Sequence, residues 1–211
     1  MDNYYIMSMI AALPAIIVAM SVHEYAHAQV ASWLGDDTPE RYGRLTMNPF
    51  AHVSWLGFLM ILLLQFGWAK PVIVNPANFK NKKLGDVLVS IAGPMANLIV
   101  AFIAAIALVL AYYYNWELSD GLVRVLRSML LLNINFAVFN LLPIPPLDGA
   151  HIVSAFLSPS WQMKYWQWQR FSFIILILLI YSPLLSMILI PASNFIMKGF
   201  SGMAGLILYF L

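Results

Sequence analysis

The chain has no cysteine, so disulfides and thiolate metal ligands are both excluded, and any bound metal must be held by His, Asp or Glu. It is also poor in charge. Only 9% of its 211 residues are charged, and the net charge of +2 is too small and too dispersed to point to nucleic acid. Long polar stretches are missing as well: the longest, Gly35 to His52, covers about 18 residues and leaves no room for a separate soluble domain. Apolar residues fill the space, at 62% of the chain, in several runs near or above the length that crosses a ~30 Å hydrocarbon core. This composition is that of an all-α polytopic membrane protein with one membrane-embedded domain over residues 1–211.

The apolar segments run from about Tyr4 to Leu34, Leu84 to Tyr114, Leu122 to Leu142, Phe171 to Ile190 and, more weakly, Phe195 to Leu211. The 15 residues from Val53 to Gly67 are short for a span and read as re-entrant, which puts the total at about five to six transmembrane helices. Charge decides between dipping and crossing. If the segment dips and returns, Arg41, Arg44, Lys70, Lys80, Lys82 and Lys83 share one face with Lys164 and Arg170, as the positive-inside rule requires. Arg124 and Arg127, near the other end, run against that pattern. The N-terminus is then outside, and the first helix and the Leu122–Leu142 helix both end toward the cytoplasm. Asp2 and the motif just behind the first apolar run argue against a cleaved signal peptide.

That motif is "HEYAH", residues 23 to 27. His23 and His27 are four apart, so on a helix they lie on one face with about 5–6 Å between Cβ atoms, a separation that one metal ion bridges. Glu24 is one step of rotation away. In HExxH the two imidazoles hold Zn²⁺, and the glutamate, which is not a ligand, takes a proton from the bound water. With 4 His and 3 Glu in the chain, chance produces the pattern in fewer than roughly one shuffled sequence in a thousand. The alternative is a pair of satisfied polar residues in a bundle, but ionisable groups within a membrane are functional by default.

A catalytic zinc site takes three protein ligands and keeps one position open. Few carboxylates remain near the spans. Asp148, in "NLLPIPPLDGAH", follows the helix that runs parallel to the histidine helix. Pro143, Pro145 and Pro146 prevent regular helix there and Gly149 permits close approach, so the chain can fold a carboxylate inward. The other reading of Asp148 is a helix N-cap beyond the prolines.

Together, "HEYAH", "AGPMAN" and "NLLPIPPLDG" resemble the site-2 protease family of intramembrane zinc metalloproteases over about residues 20 to 155. The resemblance implies that His23, His27 and Asp148 are zinc ligands, that Glu24 is the general base, and that Asn97 and Asn140 sit near the active site. The chain lacks the PDZ insertion and CBS pair of some members, so any regulator is expected on a separate chain. "GRLTMNPFAH" and "WAKPVIVNP" look most like the compact bacterial and archaeal branch, which implies a prokaryotic cell membrane. The catalytic core is expected over about 4–157 and C-terminal helices over about 165–211.

Hydrolysis needs a donor for the oxyanion, and Asn97 and Asn140 are candidates; the alternative is that they only tie helices together. A transmembrane substrate must unwind locally, because its scissile amides lie inside its own hydrogen-bond ladder. "KPVIVNP", residues 70 to 76, is β-branched and bounded by prolines, which suits an edge strand whose Val72, Ile73, Val74 and Asn75 hold the unwound peptide. "RYGRLTM", residues 41 to 47, could pair with it in a small hairpin or sheet at the cytoplasmic face; an irregular interfacial loop is the other reading. The resemblance also places His52, after an Asn-Pro turn, near the catalytic mouth, where polar support is the role the residues offer it, and His151 reads as a neighbour of the site rather than a ligand. The expected activity is therefore an intramembrane zinc endopeptidase with one zinc per chain, acting on transmembrane proteins from the cytoplasmic side of the bilayer. A divalent-metal transporter, with His and Asp as a transit site, is the rival, but it has no need of a non-ligand Glu24.

Overall fold

The computed structural model describes residues 3–64 and 69–210. The described chain is helical, in the order α1 (Asn3–Trp33), α2 (Thr38–Arg41), α3 (Pro49–His52), α4 (Trp55–Leu64), α5 (Lys82–Tyr113), α6 (Asp120–Asn140), α7 (Asp148–Ser154), α8 (Pro159–Gln167), α9 (Ser172–Ile180) and α10 (Pro183–Phe210). Four of these are long and apolar enough to cross a membrane: Met9–Trp33 of α1, all of α5, all of α6 and Pro183–Met203 of α10. This is an integral membrane protein.

The centre is a three-helix bundle of α1, α5 and α6, each packed on the other two. Small residues make that possible where the hydrophobic effect does not drive association. Ala11, Ala15 and Ala19 of α1, Ala101, Ala104 and Ala105 of α5, and Ala137 of α6 are all buried. Local chemistry sets the helix ends. Asn81 caps α5 through its side chain to the Leu84 N–H, and Ser119 caps α6 through Leu122. At the end of α1, Gly35 at φ +98° closes a Schellman motif, with the Asp36 N–H on the Ala31 carbonyl at 2.9 Å and the Gly35 N–H on Ser32 at 3.0 Å. The reversal turns Asp36 back toward the bundle.

Two sequence expectations change. The expected span from Phe171 to Ile190 is divided: α9 stops at Ile180, a turn follows at Tyr181 and Ser182, and Pro183 opens α10. Proline is tolerated at a helix start but disfavours helical backbone in the residue before it. The nine residues of α9 rise only ~14 Å, too short to span alone. The expected strand at residues 41–47 is likewise not formed: Arg41 closes α2, Gly43 sits at φ +64°, and Asn48 starts α3 by accepting the Phe50 N–H. Pro39 and Pro49 favour those short helices over a ladder. Among the described residues the only bridge is antiparallel, Val53 with Ala69. Residues 70–75 form no regular element, and the Val72 and Asn75 N–H groups find carboxylates, not a partner strand.

Candidate metal centre

Three elements build the site. α1 brings His23 and His27, α5 lies against them, and the loop from α6 to α7 brings Asp148. His23 Nε2 is 3.1 Å from Asp148 Oδ2, and His27 Nε2 is 3.3 Å from Asp148 Oδ1. The two Nε2 atoms are 3.0 Å apart, and one donor atom from each of the three residues lies within 4.8 Å of the others. Asp148 is the first residue of α7, and Leu147, not Asp148, occupies the cap. The N-cap reading is therefore replaced by a carboxylate aimed at the histidines. Its close turn depends on Gly149, where a Cβ would stand 2.1 Å from the Leu141 carbonyl oxygen.

The outer ring nitrogens fix the tautomers. His23 Nδ1 is 2.7 Å from Asn97 Oδ1 and His27 Nδ1 is 2.7 Å from the Val89 carbonyl, both acceptors, so in the neutral rings the protons sit on Nδ1. Both Nε2 lone pairs then face each other and a carboxylate, with Asp148 Oδ2 buried and lacking a hydrogen-bond partner. Such a set of electron pairs repels itself unless a cation stands among them. This donor set, with both imidazoles oriented from behind, fits a divalent metal.

Asn97 is fully buried, and its amide is committed: Oδ1 serves His23, while Nδ2 donates to the Ala19 carbonyl and to Asn133 Oδ1, both at 2.9 Å. Asn133 in turn donates to the Met129 carbonyl at 2.8 Å, so the pair joins α1, α5 and α6 behind His23. Asn140 spends one N–H on the Phe136 carbonyl of its own helix. Phe136, one turn earlier on α6, packs edge-on against His23 at 5.0 Å between centroids, which sets Asn140 on the helix face that reaches the site. Gly93 explains the glycine of "AGPMAN": a Cβ there would stand 2.6 Å from both His23 Cε1 and His27 Nε2.

Glu24 is buried and stands apart from the converging group. Its Oε2 accepts the Val72 N–H at 2.8 Å. Of the other segment residues, Val74 packs toward Ala31, Phe79 and Val89, Ile73 is exposed, and the Asn75 N–H goes to Asp36. His52 is buried between two strands of loop, with Nε2 on the Thr46 carbonyl and its own carbonyl accepting the Lys70 N–H, both at 2.7 Å. His151 pairs with Asp86 at 3.2 Å, away from the metal group. The sequence reading missed Asn133, Gly93 as the histidine contact, and Asp36. Only the glycine carried a signal, since a helix-interior glycine commonly marks close approach.

Comparison with known proteins identifies the family. The family model described as Peptidase family M50 matches residues 109–180, which include α6 and the Asp148 loop. A Bacillus subtilis (strain 168) protein named as a zinc metalloprotease, YwhC, is 43% identical over 196 residues, covering 90% of each chain. The chain belongs to peptidase family M50. A Mycolicibacterium smegmatis protein also named as a zinc metalloprotease, Rip2, is 28% identical over 81% of this chain and 66% of its own. No solved structure matches. As an M50 peptidase, the site-2 protease family, the chain is an intramembrane metalloprotease whose metal is zinc, and His23, His27 and Asp148 form the group able to bind it.

Proposed function

We propose that this M50 peptidase cleaves transmembrane or membrane-proximal segments of other membrane proteins, with His23, His27 and Asp148 as zinc ligands and Glu24 as general base. The observation that carries the reading is the convergence of two Nδ1-anchored imidazoles and a buried carboxylate on one point, with Glu24 outside the ligand group. Zinc bound there supplies a Lewis acid that polarises the peptide carbonyl and acidifies water. Glu24 takes a proton from the attacking water as its oxygen bonds to the carbonyl carbon, and returns a proton to the departing amide nitrogen as the C–N bond breaks. The Val72 N–H on Oε2 aims the carboxylate and leaves Oε1 for that proton. Asn140 has a second N–H beyond the one given to Phe136, which suits it to the oxyanion. Asn97, with its amide spent, holds the His23 ring in place.

Residues 72–75 hold the unwound substrate main chain to main chain. In support, they form no helix, Asn75 is extended, Val72 reaches Glu24 directly, and they have no partner strand among the described residues. The Val53–Ala69 bridge and the Lys70 N–H on the His52 carbonyl bring the two ends of the Val53–Gly67 segment together, which supports a segment that dips and returns. A cytoplasmic active site follows from the basic residues on that face. Metal analysis tests the assignment: zinc should be near one per chain and fall in His27→Ala and Asp148→Ala, while Glu24→Gln keeps it and loses turnover. Unchanged zinc in Asp148→Ala would remove that residue from the site.

A further inference from the structure

Asp36 is fully buried, and its partners are neutral donors. Oδ1 accepts the Thr38 N–H at 3.1 Å, the Thr38 hydroxyl at 2.5 Å and the Asn78 amide at 2.7 Å; Oδ2 accepts the Asn75 N–H at 2.7 Å. The Asn75 bond reaches from the turn after α1 to the segment proposed to hold substrate, and the Asn78 bond reaches the short turn that follows that segment. Glu24, on α1 twelve residues before Asp36, takes the Val72 N–H. The C-terminal half of α1 and the turn after it therefore grip this segment at two points, with only Ile73 and Val74 between them.

The two grips differ in permanence. A segment without a ladder has no register of its own, and at Val72 and Asn75 the carboxylates supply it. Glu24 accepts and releases a proton in every turnover under the reading above, and its hold on Val72 changes with it. Asp36 has no part in the chemistry. Its bonds involve no group that changes protonation in the proposed reaction, and the Schellman turn at Gly35 fixes its position.

We propose that Asp36 is a positioning residue for peptide cleavage: it holds residues 72–75 in register against Glu24, so that an extended, unwound peptide segment is presented at the base. The inference rests on the assignment of Glu24 as base and of 72–75 as the peptide-holding edge. It predicts a dependence on substrate structure. A substrate with an intact helix relies on the edge to stabilise its unwound form, whereas one loosened by Gly-Pro near the cut relies on it less.

The test uses full-length protein in lipid nanodiscs and three variants: Asp36→Asn, Asn78→Ala, and Asp36→Asn with Asn78→Asp, which reverses donor and acceptor across the 36–78 contact. Zinc content, amide hydrogen exchange at Val72 and Asn75, and kcat and KM on intact and loosened substrates are measured. Asp36→Asn should keep zinc, lose exchange protection at both amides, and lower kcat/KM roughly tenfold to a hundredfold on the intact helix. The loosened substrate should suffer much less, and the reciprocal pair should recover part of the loss. Asn78→Ala removes one donor, leaves Asp36 in place, and should give the same pattern in weaker form if Asp36→Asn does not fold. Wild-type protection at Val72 and Asn75 in Asp36→Asn would overturn the proposal, as would equal losses on the two substrates. The base assignment fails separately, if turnover survives Glu24→Gln; the exchange result at Val72 would then still decide whether Asp36 sets the register.

Discussion

Gly93→Ala offers a sharp test of the metal centre, because the added methyl would meet the ligands themselves. The new Cβ would lie 2.6 Å from His27 Nε2, 2.6 Å from His23 Cε1 and 2.7 Å from His23 Nδ1. Restoring an ordinary 3.4 Å contact from 2.6 Å requires a movement of 0.8 Å between α5 and the imidazoles. Metal–ligand distances tolerate only about ±0.2 Å, and His27 Nε2 is a metal-facing atom. The rings cannot swing away freely, since Asn97 and Val89 hold both Nδ1 atoms at 2.7 Å. Overpacking of this kind costs about 1–3 kcal/mol, and if the cost falls on the bound state zinc affinity drops roughly five- to hundredfold. Competition for zinc against a chelator of known affinity measures this directly. Gly121→Ala, where a Cβ meets nothing within 4 Å, is the control and should bind zinc like the wild type. Wild-type affinity in Gly93→Ala would refute the packing of both histidines on this glycine.

Other consequences are as definite. Asn97→Ala should weaken zinc binding about 10- to 100-fold, because it frees His23 Nδ1 and leaves the Asn133 carbonyl oxygen unpaired; unchanged chelator competition would show that His23 needs no orientation. Burial alone would raise the Asp36 carboxyl, but its hydrogen bonds from Thr38, Asn75 and Asn78 prevail and hold it below its ordinary value. A depressed folded-state value means the grip contributes fully above the unfolded value of ~4 and is lost as pH falls through the folded one, so exchange protection at Asn75 should decline only in acid. A decline that begins near neutral pH would contradict this. Single cysteines at positions 40 and 81 should be labelled from one side of the membrane and a cysteine at 118 from the other; labelling of 40 and 81 from opposite sides would end the re-entrant reading.

HExxH was legible in the sequence because helical periodicity is local: a spacing of four puts His23 and His27 on one face whatever else the chain does. The prolines before Asp148 likewise announced a break where a carboxylate turns inward, and composition alone required membrane spans. Residues 41–47, which could be a strand or a loop, and the Phe171–Ile190 run turned on a shared cause. A candidate pairing or an apolar stretch states a preference, whereas Pro39, Pro49 and Pro183 impose backbone limits that override it. The tertiary structure alone decided how the polar side chains are spent. Asn97 and Asn140 look equivalent as sequence, yet one amide is consumed behind His23 while the other gives one N–H to the Phe136 carbonyl of its own helix. Asp36 looks like an ordinary turn residue after a glycine. Its role appears only when residues 75–78, some forty positions later, fold back onto the end of α1, because a buried carboxylate is defined by the donors that surround it and those donors come from distant parts of the chain.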